Sequence, residues 1–199
     1  MAFRRGFKSQ CERRSVEFRK QVGASAIAPL LAGDLARALG VTVWSTDQVS
    51  GVTREHLDVL NDQADDSWAA LTMRVGSSNL VIYKPVQSVG RRNNAVMHEL
   101  AHIILGHELA RACLLDDGSL VPGNFNQEQE DEADWLAGTL LLPRPALLSI
   151  RERHLIDSEA CQTYEVSQDM LAWRIRMTGI DYQLARSCRA NEAIQSGVV

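Results

Sequence analysis

The chain has 199 residues, 45% hydrophobic and 23% charged, with a formal net charge of −4. That length can bury a substantial core, the composition is that of a folded globular protein, and the mild acidity gives no global nucleic-acid signature. No apolar run approaches the roughly 20 residues of a membrane span. The N-terminus carries arginines without a secretory h-region, and Cys11, Cys113, Cys161 and Cys188 are scattered without a C-x-x-C pair, the usage of a reduced, cytoplasmic protein.

Taken in order, residues 1–20 are basic (Arg4, Arg5, Lys8, Arg13, Arg14, Arg19 and Lys20 against Glu12 and Glu17). This predicts a solvated N-terminal helix or arm over residues 1–23, with nucleic-acid contact as the alternative. Ala24 to Leu39 has apolar residues at helical spacing and stops at Gly40, a normal helix end. Val41 to Trp44 is a short β-prone run, and Thr53 to Leu60 reads as a short helix capped by Thr53. Trp68 to Val75 and Asn79 to Tyr83 are β-prone runs around Gly76-Ser77-Ser78, the pattern of a hairpin with a three-residue connection.

Pro85 ends the second strand, and a polar stretch leads into the run from Asn93 to His107. Asn93 or Asn94 is a natural N-cap for a helix here. Within it, His98-Glu99-Leu100-Ala101-His102 is an H-E-x-x-H pattern. Residues four apart share a helix face, so His98 and His102 can chelate one Zn²⁺ at roughly 2.0–2.1 Å each. Glu99, beside the first ligand, can take a proton from an attacking water. Leu100, Ile103, Ile104 and His107 mark the face turned away from the pair. Gly106 inside the helix suggests close approach of another element. His107, five residues after His102, reads as a hydrogen-bonded structural histidine.

Asp116 to Ser119 and Pro122 to Asn124 are loop-like and form a candidate cleft rim. Gln127 to Leu142 is a second helix, ended by Pro143. Its acidic first turns have a structural explanation in the helix dipole. Glu130 and Asp134 nevertheless share a face: Glu130 can complete a His₂Glu site with a fourth position open, and Asp134 can accept the other ring N–H of a liganding histidine. Glu132 points about 160° from Glu130 and is the weaker candidate. Beyond Pro143 the chain is helical: Arg144 to Arg153, a piece around Ser158 to Cys161, and Val166 to Met177 with Ser167 as cap. This last pair resembles a helix-turn-helix layout, with Arg174 and Arg176 as candidates to face phosphate. Docking or packing is favoured over DNA binding, because the region is not strongly basic. The fold class expected is α+β: a small β-sheet packed on the H-E-x-x-H helix and on the Glu-bearing second helix, with a helical C-terminal region.

The run from His98 to His107, followed by Glu130-Asp131-Glu132-Ala133-Asp134-Trp135-Leu136-Ala137 and Leu140-Leu141-Leu142-Pro143, resembles the ImmA/IrrE family of metallo-endopeptidases. That family typically shows H-E-L-x-H-x-x-L-x-H and then E-x-E-A-[ND]-x-F-A-x-x-L-L-x-P. Val166-Ser167 with Arg174 is similar to its C-terminal segment, so the resemblance spans about residues 25–180. Trp135 stands where members often have Phe, and Asn93-Asn94 where they usually have an aromatic–Ser/Thr pair. The resemblance implies a gluzincin-like site: His98, His102 and Glu130 on zinc, Glu99 as general base. It also implies a zinc metallopeptidase-like domain over 24–150, with residues 151–199 as a C-terminal region. The implied reaction is cleavage of a helix-turn-helix transcriptional repressor in a stress, phage or mobile-element response. Two rival expectations stand beside it: a non-catalytic binding protein of the repressor-sequestering or toxin–antitoxin kind, and a DNA-binding regulator.

Overall fold

The computed structural model describes residues 3–64, 67–108, 112–114, 120–122 and 126–195. A first helix, α1 (Phe7–Gln21), is followed by α2 (Ala32–Leu39), β1 (Thr42–Ser45) and α3 (Arg54–Leu60). The hairpin β2 (Ala70–Val75) and β3 (Ser78–Tyr83) leads into α4 (Val89–Leu105). Short strands β4 (Ala112–Leu114) and β5 (Leu120–Pro122) precede α5 (Gln127–Leu141). Helices α6 (Arg144–Glu152), α7 (Asp157–Tyr164), α8 (Gln168–Thr178) and α9 (Ile180–Gln195) complete an α+β architecture. No helix among the described residues is long and apolar enough to cross a membrane.

The larger sheet has the order β1-β3-β2, with β1 parallel and β2 antiparallel to β3. Paired residues share a sheet face, so the row Val43–Val81–Thr72 lies on one side. That side packs on α4, and Val81 is fully buried. The register pairs Val75 with Ser78, leaving Gly76-Ser77 as a two-residue connection. The expected third loop residue, Ser78, is taken up by the strand. The expected cleft rim at Asp116–Ser119, Gly123 and Asn124 lies outside the described residues; the strands flanking its first part, β4 and β5, pair antiparallel.

Helices α4 and α1 both pack on α5. One core cluster takes Leu35 from α2, Val81 from the sheet, Met97 and Leu100 from α4, Leu136 and Leu140 from α5 and Leu171 from α8. The basic N-terminal segment docks into the same cluster through Phe7 and Cys11. With Ser15 and Arg19 these form a buried stripe at four-residue spacing, a helix face that composition hides under its charge. Arg4, Arg5, Lys8, Arg13 and Lys20 remain exposed.

Two arginines are fully buried, and both serve the end of α5. The last turn of a helix leaves carbonyls without partners, and here that turn is inside the protein. Arg19 Nη2 donates to the Leu141 carbonyl (3.1 Å) and Arg174 Nε to that of Leu142 (3.0 Å), while Ser15 Oγ donates to that of Thr139 (2.9 Å). Arg174 also donates to Glu12 Oε1 (2.9 Å), whose other oxygen accepts from the Arg144 backbone N–H (2.9 Å) at the start of α6. Arg174, one of the two candidates for phosphate, is therefore taken up by packing, the use favoured for this region; Arg176 is exposed.

The helix expected from Ala24 begins only at Ala32. Pro29 disfavours helical backbone at Ala28, and the freed carbonyls of Ile27 and Ala28 accept from Tyr164 Oη (2.7 Å) and Arg19 Nε (2.9 Å). Gly90 fills a different need: a Cβ there would lie 2.5 Å from the Val166 carbonyl carbon, so α4 meets the α7–α8 junction backbone to backbone. Gly90→Ala is expected to lower stability by about 1–3 kcal/mol through this overpacking, measured by urea unfolding.

Candidate metal centre

Helix α4 starts one turn and more before Asn93. Its N-cap is Ser88, whose side chain accepts from the Arg91 N–H. The two asparagines instead lie inside the helix and anchor it. Asn93 Oδ1 accepts from the Ala32 N–H (2.8 Å), so it caps α2, and its Nδ2 donates to the Glu165 carbonyl (2.9 Å). Asn94 Nδ2 donates to Ser167 Oγ (2.8 Å). Ser167 in turn caps α8, accepting from the Met170 N–H. The C-terminal end also differs from expectation. Gly106 is the C-cap at φ 70°, with nothing near the position of a Cβ. Its role is to adopt a left-handed backbone rather than to admit a neighbour. The chain turns there, and His107 folds back instead of continuing the helix.

Three donor atoms converge between α4 and α5. His98 Nε2 and His102 Nε2 are 3.0 Å apart, and Glu130 Oε2 lies 3.2 Å from the first and 3.5 Å from the second. Ligand atoms on a tetrahedral zinc at roughly 2.0–2.1 Å stand roughly 3.3 Å from one another, and the observed separations bracket that value. Among the described residues this His98–His102–Glu130 set is the group of such side chains that could hold a metal ion. Asp134 Oδ1 is 2.9 Å from His98 Nδ1, on the ring edge away from the converging atoms.

Glu99 turns toward the sheet rather than joining the trio. Its Oε2 accepts from Thr72 Oγ1 (2.5 Å) on the inward face of β2. An open cavity of about 370 Å³ adjoins His98 and Glu99, lined also by Ala70, Ala95, Asp134 and Met170. Two contacts had escaped the sequence. Thr72 carries no signal beyond its place on the inward row of a strand. Glu132, set aside because it points away from Glu130, lies 3.4 Å from His107 Nε2. His107 is hydrogen-bonded as expected, its Nδ1 lying 3.1 Å from His102 Nδ1.

A family model described as Peptidase_M78, IrrE N-terminal-like domain, matches residues 36–176, well over half of the chain. No curated protein matches the sequence at a significant level. Among solved structures, one described as a Mycobacterium tuberculosis transcriptional regulator is similar at 12% identity and a TM-score of 0.46, covering 87% of this chain and 47% of that one. The chain thus spans about half the length of that structure.

The electrostatics of the metal-free cluster follow from its geometry. Burial works against a charge on His98, yet the hydrogen bonds to Asp134 and Glu130 outweigh it and hold the imidazole up at about 10. Burial and then the neighbouring His98 push His102 down to about 4. The hydrogen bond to His98 lowers Glu130. Burial raises Glu99, partly offset by the Thr72 hydroxyl. A proton on His98 therefore sits between two carboxylates, where a divalent cation would compete with it below pH of about 10. Apparent metal affinity is expected to rise with pH through the neutral range. Calorimetry in buffers of different ionisation enthalpy should record about one proton released per ion bound; uptake without proton release would contradict the arrangement.

Proposed function

The chain belongs to the IrrE N-terminal-like peptidase family, and on that premise we propose that it is a zinc-dependent endopeptidase acting on a protein substrate in the cytoplasm. The observation that carries this reading is the convergence of His98 Nε2, His102 Nε2 and Glu130 Oε2 next to a carboxylate, Glu99, that stays out of the cluster and borders an open cavity. A binding scaffold has no need of that free carboxylate.

His98, His102 and Glu130 would hold the ion, which when bound supplies Lewis acidity to the scissile carbonyl and to water. Glu99 takes the proton of the attacking water and passes it to the leaving amine. Its burial keeps the proton affinity above that of an ordinary carboxylate, which suits a group that must both accept and return a proton. Thr72 fixes the carboxylate on the cavity side by occupying one of its oxygens. Asp134 holds the His98 ring by its Nδ1 edge, turning Nε2 toward Glu130.

Family membership directs the substrate reading to a helix-turn-helix transcriptional repressor, cleaved in a stress, phage or mobile-element response. The rival DNA-binding reading has lost one of its two phosphate candidates, since Arg174 is buried against Glu12. Glu99→Gln is expected to keep its zinc and to lose cleavage of such a repressor by at least about 10²-fold. Metal content and cleavage assays on wild type and variant decide the matter: equal behaviour of the two would move the protein to the non-catalytic class. Thr72→Val removes a bond that lowers the proton affinity of Glu99. Because the base must be ionised to act, the acidic limb of the pH–rate profile should shift to higher pH in this variant.

A further inference from the structure

We propose that His107 and Glu132 form a positioning arm for His102, a counterpart to the one that Asp134 provides for His98. The inference rests on the metal-site reading above and assigns a role to the one acidic residue of the Glu130–Asp134 stretch that faces the histidines and had none. His102 Nδ1 lies 3.1 Å from His107 Nδ1, and His107 Nε2 lies 3.4 Å from Glu132 Oε2. The His107 side chain is only 6% exposed, and that of Glu132 25%. Gly106 makes the arrangement reachable, because the left-handed turn after α4 brings His107 back over His102 rather than a helical step further round.

The donors and acceptors of the chain can be satisfied in one direction. A carboxylate only accepts, and each neutral imidazole has one N–H and one bare nitrogen. Glu132 therefore accepts from His107 Nε2–H. That leaves His107 Nδ1 as an acceptor, which requires the proton of His102 to sit on Nδ1. His102 Nε2 is then bare and turned toward His98 and Glu130, the state a metal ligand needs. Without the carboxylate, His107 could equally carry its proton on Nδ1, and His102 would be left with Nε2 protonated and closed to a metal.

The test uses the full chain with ¹⁵N-labelled histidine, so that long-range proton–nitrogen spectra of the metal-free protein show which ring nitrogen of His102 is protonated. Wild type is expected to have Nδ1 protonated, and His107→Phe to lose that preference. In zinc competition against a chelator, His107→Phe and Glu132→Gln should each weaken affinity roughly 10–100-fold, as loss of an outer partner does. The double variant should be no weaker than His107→Phe alone, because the two residues act in series. Glu132→Gln keeps shape and carries the test should His107→Phe fail to fold. An Nε2-protonated His102 in wild type, or a Glu132→Gln affinity within about twofold of wild type, would overturn the arm and leave the metal site standing. A wild type that binds no zinc would overturn the metal reading, and the arm with it.

Discussion

The buried C-terminus of α5 is the constraint on which the structure depends. This helix carries Glu130, Glu132 and Asp134 near one end and terminates inside the core at the other. Each carbonyl left unpaired there would cost about 1–3 kcal/mol. The protein supplies Ser15 and Arg19 from α1 and Arg174 from α8 instead. Cations at a helix C-terminus also complement its dipole. Burial lowers Arg19 to about 10, still protonated at neutral pH, and Arg174 has Glu12 as a counter-ion. The N-terminal helix and the C-terminal helices thus meet at one point, and that point sets where α5 lies against α4.

From there the candidate metal centre follows with little freedom. Two helices placed side by side each contribute residues one turn apart, His98 with His102 and Glu130 with Asp134. Their spacing puts Glu130 and Asp134 on the same α5 face. Asn93 and Asn94 hold α4 to α2 and to the α7–α8 junction, and the absence of a side chain at Gly90 lets that junction approach. Three carboxylates, Glu130, Glu132 and Asp134, face the three imidazoles of the cluster. The raised proton affinity of His98 is the metal-free protein's compensation for that negative charge.

What could be read from the chain alone was what is local. Four-residue spacing brought out His98, His102, Glu130 and Asp134, and the caps at Thr53 and Ser167 were visible because the capping residue and the helix adjoin. Asn93 was misread for the same reason: its capping chemistry is real, but the helix it caps begins 61 residues earlier. Arg174 looked free to meet phosphate because sequence shows a charge and not the carbonyls that will surround it. Gly106 shows that one residue type answers two needs, since a glycine required for its backbone reads the same as one required for close approach. Thr72 and Glu132 act through partners on other elements, and no periodicity within their own segment points to them.

The turn at Gly106 also bears on where the chain can be lengthened. Helix α4 is closed by its own C-cap, and α5 is opened by Asn126, whose side chain accepts from the N–H groups of Glu128 and Gln129. Each helix end is completed by residues at its own border. Neither of these two ends draws its cap from the residues between His107 and Asn126. Lengthening a connection of that kind costs roughly 0.6 kcal/mol per doubling. The consequence is practical: a reporter peptide grafted into this connection would leave the caps of both helices in place.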